Sequence, residues 1–172
     1  MDYLWTPWRY AYVTQADQAG GCIFCDKHTA GDDEKNLIVY RGRRNYLLLN
    51  LFPYTVGHVL IAPYRHIASL TEAEPEELTE LMDLTRRTEQ ALRKIYRPQG
   101  LNLGMNLGAA AGAGVAGHMH MHVLPRWVAD ANFMAVVGET RVLPEALETT
   151  WTKLRAEFQG SAAQETPVKK VL

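Results

Sequence analysis

The sequence predicts an α+β domain with a mainly antiparallel sheet. Three observations point to it: short apolar runs recur between Leu37 and Leu124, one long amphipathic pattern interrupts them, and strands do not alternate regularly with helices. Leu37 to Tyr40 and Tyr46 to Leu49 flank Arg41-Gly42-Arg43-Arg44 and read as an antiparallel hairpin. A third strand, His58 to Ala62, follows the turn-like Pro53-Tyr54-Thr55-Val56-Gly57 and stops at Pro63. From Pro75 to Tyr96, Leu78, Leu81, Met82, Thr85, Leu92 and Ile95 recur at spacings of three, four and seven. Pro75 suits the first turn of that helix, and Glu76 and Glu77 suit its positive end. Leu101 to Met105 and His118 to Leu124 supply the fourth and fifth strands, separated by a Gly- and Ala-rich loop from Gly108 to Gly117. Leu143, Leu147, Trp151, Leu154 and Phe158 then mark a C-terminal helix opened by Pro144. Beyond it the apolar period stops, so residues 1–158 read as a single domain and 159–172 as a mobile tail.

Composition narrows the function. With 172 residues, 18 basic and 19 acidic side chains and a net charge of -1, the chain lacks the broad positive surface of a nucleic-acid binder. A small anionic ligand held by a few local groups stays open. Met1-Asp2-Tyr3-Leu4-Trp5 has neither the basic start nor the apolar run of a signal peptide. No stretch approaches the roughly 20 apolar residues that span a bilayer. The expectation is a soluble, cytoplasmic protein with no membrane partner.

The most informative segment is Gly117-His118-Met119-His120-Met121-His122-Val123-Leu124-Pro125. In an extended strand, alternate side chains share a face, so His118, His120 and His122 line one surface while Met119, Met121 and Val123 enter the core. A helix would scatter them. Imidazole is suited to attack phosphorus near neutral pH because it is largely unprotonated there and departs readily when phosphorylated. His120, in the middle of the row, is best placed to attack, with His118 and His122 orienting it, binding phosphate or protonating the leaving group. His-x-His on a strand also matches metal ligation, and that reading stays open here. The preceding Gly104-Met105-Asn106-Leu107-Gly108 and Gly112-Ala113-Gly114 offer unobstructed backbone N–H groups for an anion, or form only a flexible connection.

Cys22 and Cys25 lie too close together to close a useful loop and read as half of a zinc site; a redox dithiol is the alternative, disfavoured because no thioredoxin-type helix obviously begins there. His66 is one candidate third ligand, or a surface residue. His28 reads as exposed loop. The aromatic opening, Trp5, Trp8, Tyr10 and Tyr12, packs on the sheet or stacks on a base. Arg41, Arg43 and Arg44 form a solvated turn or attract polyphosphate.

His118 to Leu124 read as His-φ-His-φ-His-φ-φ with φ apolar. With Cys22-Ile23-Phe24-Cys25, Asn50, Gly57-His58-Val59, Pro63-Tyr64-Arg65-His66-Ile67 and Gly104-Met105-Asn106, they resemble the histidine-triad (HIT) nucleotide-binding proteins from Leu4 to Phe158. Leu4-Trp5-Thr6-Pro7-Trp8-Arg9 and the stretch from Pro125-Arg126-Trp127 to Asn132-Phe133-Met134 resemble the bacterial diadenosine tetraphosphate phosphorylase/hydrolase-like branch. The resemblance implies a HIT-like five-stranded mainly antiparallel sheet with one long helix and a C-terminal helix, assembled as a homodimer. It implies attack of His120 on the α-phosphate of an adenine (di)nucleotide, giving a nucleotidyl-histidine that inorganic phosphate, as co-substrate, or water resolves. His118, His122, Asn106 and the backbone of Gly112, Ala113 and Gly114 would surround the phosphate. Asn50 would reach the ribose, Ile23 and Phe24 would border the base, and His58 would match an extra histidine near the site. A structural Zn2+ would be held by Cys22, Cys25, His66 and His118. The chain departs from relatives that carry Gly-Gln-Ser/Thr before the triad, having Gly112-Ala113-Gly114-Val115 instead. Hydrolysis of dinucleoside polyphosphates or nucleoside phosphoramidates, and a weakly catalytic nucleotide-binding regulatory module, are the alternative activities.

Overall fold

Five strands, β1 (Ile38–Arg41), β2 (Asn45–Leu49), β3 (Val59–Pro63), β4 (Gly100–Gly104) and β5 (Met121–Arg126), make one sheet in the order β1-β2-β3-β5-β4, every neighbouring pair antiparallel. The computed structural model describes residues 21–130 and 143–162. The aromatic opening, Asn132-Phe133-Met134 and the tail beyond Ala162 lie outside the described residues. Helix α1 (Ile23–Thr29) precedes the sheet, α2 (Pro75–Tyr96) connects β3 to β4, and α3 (Leu147–Ala162) follows it.

Period-two alternation sorts the sheet into two faces. Leu47 and Leu49 of β2, Val59 and Ile61 of β3 and Val123 of β5 pack with Leu81, Leu84, Ala91 and Leu92 of α2 and with Leu154 and Phe158 of α3. Tyr46, Leu48, Leu60 and Ala62, the residues between them, pack on the other face with Ile38 and with Phe24 of α1. In the register, Leu60 lies opposite His122, which assigns that histidine to the face of Leu60 and Phe24, away from α2.

Helix α2 has the predicted limits because its ends are capped. Pro75 occupies the first turn, and the Glu74 N–H donates to the Glu77 carboxylate at 2.8 Å. At the other end Arg97 is left-handed, with φ of 47°, just before Pro98. Met82 departs from the expected stripe and is 57% exposed, because it stands about 100° around the helix from Leu81, while Leu84 and Ala91 take the buried positions.

Other boundaries shift for local reasons. Leu37 has a positive φ of 59°, so β1 starts one residue later than the apolar run. Helix α3 begins at Leu147 rather than Pro144, with Glu145 ahead of it accepting Thr150 Oγ1–H at 2.8 Å and Tyr96 Oη–H at 2.6 Å. It runs to Ala162, one turn past Phe158.

The largest correction concerns the histidine strand. Regular pairing with β3 begins only at Met121, so His118 and His120 precede β5. Strand β3 ends at Pro63, whose carbonyl accepts His118 Nε2–H at 2.9 Å, and Met119 N–H turns to Ile67 O at 2.7 Å. Met121 and Val123 still pack toward α2, as the alternation requires.

Leu92 is fully buried where α2 crosses the sheet, so Leu92→Ala removes methyl groups that the surroundings cannot replace. The expected cost is about 2–5 kcal/mol, read as a lower denaturation midpoint at unchanged slope.

Candidate active site and metal centre

The three triad imidazoles do not form one row. His118 is fully buried and turns Nδ1 to Cys22 Sγ at 3.3 Å and Cys25 Sγ at 3.7 Å, while His66 Nδ1 lies 3.4 Å from Cys25 Sγ. All four ligand atoms lie within 4.8 Å of one another. Helix α1 starts directly after Cys22 and brings Cys25 round to the same side, a short helix that sequence reasoning did not find. His28, expected in exposed loop, lies in its last turn, half-buried, with its ring 5.6 Å from Tyr46 and 5.2 Å from Tyr64.

This donor set suits a metal ion. A tetrahedron with Zn–S and Zn–N bonds of ordinary length has S···N edges of about 3.6 Å, a value that lies within the separations seen, 3.3, 3.4 and 3.7 Å. The carbonyl of Pro63 can only accept, so the His118 proton sits on Nε2 and the Nδ1 lone pair faces the thiols. A ligating histidine needs that tautomer and that outer partner. Burial, then the neighbouring Cys22 thiol, pushes Cys25 up to about 11, a cost that a dication removes. Gly117 allows the close approach, since a Cβ there would stand 3.3 Å from His66 Nε2.

His66 is steered from α2. Arg65 Nε and Nη2 grip the buried Glu77 carboxylate at 2.8 Å each, and Nη2 also donates to Glu72 O. One turn on, Glu80 accepts the backbone N–H groups of Arg43, Arg44 and Asn45 at 2.6, 2.6 and 2.7 Å. The arginine turn is therefore bound by the protein's own carboxylate, and Arg41 pairs with Asp33 at 2.8 Å.

The second cluster is His120, His122 and His58. His120 Nδ1–H donates to the His118 carbonyl at 2.9 Å, which leaves the lone pair on Nε2. Burial lowers the basicity of His120 and favours that neutral form. Tyr54 N–H donates to His58 Nδ1 at 3.1 Å, so the proton of neutral His58 is on Nε2, which donates to His122 Nδ1 at 2.9 Å. By the same reasoning neutral His122 carries its proton on Nε2. The rings of His120 and His122 are 4.9 Å apart. A ring-nitrogen lone pair and a ring N–H thus stand side by side, each tautomer set by a neighbour.

The sequence marks Tyr54 only as part of a turn, yet its N–H sets the His58 tautomer and its ring stacks on His122 at 6.2 Å. Its contact crosses between turn and strand and leaves no local sequence signal. Gly57, immediately before His58, has φ of 75°, and a Cβ there would meet Leu92 Cδ2 at 3.0 Å.

Among the remaining predicted residues, Asn50 accepts Phe52 N–H at 3.0 Å and directs Nδ2 at His58 Nδ1, at 3.3 Å. Asn106 Nδ2 donates to Gly112 O at 3.4 Å. The N–H groups of Gly112 and Ala113 are spent inside the loop, on Ala109 O and Gly108 O, so they are not poised for an anion as expected. Ile23 is 46% exposed whereas Phe24 is 4%, with its ring turned to His118 and His120 instead of outward toward a base.

The chain belongs to the HIT domain family, whose model matches residues 32–128. It is 38% identical over 162 residues to a Mycobacterium tuberculosis protein named AP-4-A phosphorylase, covering 90% of this chain and 83% of that one. A Schizosaccharomyces pombe protein named bis(5'-nucleosyl)-tetraphosphatase (asymmetrical) is 36% identical over 93 residues, 54% of this chain and 50% of that protein. Among solved structures, a Zn-bound histidine triad family protein from Mycobacterium smegmatis superposes with a TM-score of 0.66 at 27% identity, over 84% of this chain and 98% of that one. No helix among the described residues is long and apolar enough to cross a membrane.

Hydrogen bonds from Arg65, more than they are opposed by burial, hold the Glu77 carboxyl below its usual range. Its folded pKa is therefore below its unfolded one, and the stability it contributes is fully present above about pH 4.3 and lost as pH falls through the depressed value. Glu77→Gln should lose less stability than the parent protein between about pH 4.3 and pH 2.5 in urea titrations. Parallel curves would show that the ion pair contributes nothing.

Proposed function

We propose that this protein cleaves dinucleoside polyphosphates, diadenosine tetraphosphate foremost, by phosphorolysis through a nucleotidyl-His120 intermediate. The observation that carries the reading is the pair of fixed tautomers: a lone pair on His120 Nε2 beside a proton on His122 Nε2. His120 Nε2 attacks the α-phosphorus, the P–N bond forms as the bond to the bridging oxygen breaks, and the departing ATP keeps that electron pair as an anion whose oxygen accepts a hydrogen bond from His122 Nε2–H. Inorganic phosphate then attacks the same phosphorus, releases His120 and forms ADP. The relative named AP-4-A phosphorylase supports this substrate and acceptor. In this reading His58 holds His122 in register, Asn106 would border the phosphate, and Asn50 and the exposed Ile23 would serve the nucleoside end.

Incubation of the purified protein with diadenosine tetraphosphate and phosphate should yield ADP and ATP. AMP and ATP, formed regardless of phosphate, would move the assignment to hydrolase. His120→Ala should lower turnover by about 10³-fold or more while nucleotide binding persists, and unchanged turnover would exclude His120 as nucleophile.

The same reading assigns zinc to Cys22, Cys25, His66 and His118. A closed site of this kind supplies folding energy and rigidity rather than an open coordination position. Free thiols committed to a metal fit a reducing compartment such as the cytoplasm. Strand β4, whose Leu103 is 49% exposed, lies at the outer edge of the sheet, and we assign that edge to the homodimer. Metal analysis should find about one zinc per chain, and chelation should lower the melting temperature by about 5 °C or more. In sedimentation the zinc-loaded protein should run at twice its chain mass. A chain that melts unchanged without metal overturns the structural role, and a monomer overturns the dimer.

A further inference from the structure

We propose that Phe24 speeds the first chemical step by presenting its aromatic ring to the positive charge that His120 acquires as it takes up the nucleotidyl group. This rests on the nucleotidyl-histidine reading above.

The charge follows from the hydrogen bonds. His120 Nδ1 keeps its proton because the His118 carbonyl accepts it at 2.9 Å. When Nε2 then forms its bond to phosphorus, the ring carries substituents on both nitrogens and becomes an imidazolium. It returns to neutral imidazole only when the second acceptor breaks that P–N bond. Among the described residues no carboxylate forms an ion pair with His120. Against it stand the His118 carbonyl, the His122 imidazole with its centroid at 4.9 Å, and the Phe24 ring, which has the electron-rich benzene face and is the nearer ring, its centroid 4.7 Å from that of His120 at an interplanar angle of 34°. A cation within about 6 Å of an aromatic centroid is drawn to the ring quadrupole, more strongly where water is excluded.

Phe24 is built to stay there. Its ring is 4% exposed and backed by Tyr46, Leu48 and Leu60, and its carbonyl accepts the hydroxyl of the fully buried Tyr46 at 2.7 Å. The cysteines on either side hold the first turn of α1 against the metal cluster. The ring therefore needs no rearrangement when charge develops, which is where preorganised groups contribute most to rate. Packing alone would be satisfied by a leucine. A ring placed against the nucleophile distinguishes a stabiliser of charge from a filler of space.

The test replaces Phe24, in the zinc-loaded full-length chain, with mono-, di- and trifluorinated phenylalanines. These keep the ring's shape while withdrawing electron density from its face. Rapid-quench single turnovers with diadenosine tetraphosphate measure how fast the nucleotidyl-enzyme forms, and melting temperature and zinc content are recorded alongside. The rate should fall stepwise with each fluorine, by between about twofold and 30-fold across the series, with melting and zinc unchanged. Phe24→Leu should slow formation by at least the full span of the series. A flat series in protein that forms the adduct overturns this proposal alone. Absence of any adduct in the unsubstituted protein overturns the nucleotidyl-histidine reading and this proposal with it.

Discussion

His118 is held at three points, and the Cys22-Cys25-His66 cluster and the proposed nucleophile, His120, are both positioned through it. Its Nδ1 faces Cys22 and Cys25, its Nε2–H is bound to the Pro63 carbonyl, and its own carbonyl accepts the Nδ1–H of His120. Each bond fixes a tautomer as well as a position, because a carbonyl oxygen can only accept. The orientation that frees a lone pair for a metal at one end thus continues, through one peptide unit, into the orientation that frees a lone pair for phosphorus at the other.

The fold supplies the rest by parity and by clamps. Antiparallel register gives Leu60 and His122 a common face, so β3 and β5 together place His122 opposite the face that α2 covers. Helix α2 is more than a cover. Glu77 and Glu80, one turn apart, bind the Arg65 loop and the β1–β2 turn through charge-assisted hydrogen bonds, and so hold the loop that carries His66 and the hairpin behind Tyr46. Tyr46 in turn bonds the carbonyl of Phe24, so packing on the sheet reaches the nucleophile through one buried ring.

Much of this was legible in the chain. Apolar runs and the capped 22-residue helix marked the elements, because burial on one face imposes a period and helix termini need partners for their orphan groups. Alternation in His118 to Val123 marked the chemical face, even though regular pairing starts only at Met121. Cys22 and Cys25 marked half of a candidate metal site, His66 stood as one candidate third ligand, and the HIT resemblance added His118. What stayed hidden depended on contacts distant in sequence. Helix α1 is too short for a period to show, Tyr54 acts through a backbone N–H that has no side-chain signature, and Glu80 reaches a turn 36 residues away.

By itself, the sequence determined which residues could do chemistry: the imidazoles, the thiols and the alternation that separates His118, His120 and His122 from the apolar Met119, Met121 and Val123. Those are local properties of side chains and backbone geometry. Tertiary structure alone decided how the three triad histidines divide their work, sending the ring of His118 to the cysteines and pairing His122 with His58. The division turns on which carbonyl or N–H each ring nitrogen meets, and those partners come from Pro63 and Tyr54, segments that only folding brings to the strand.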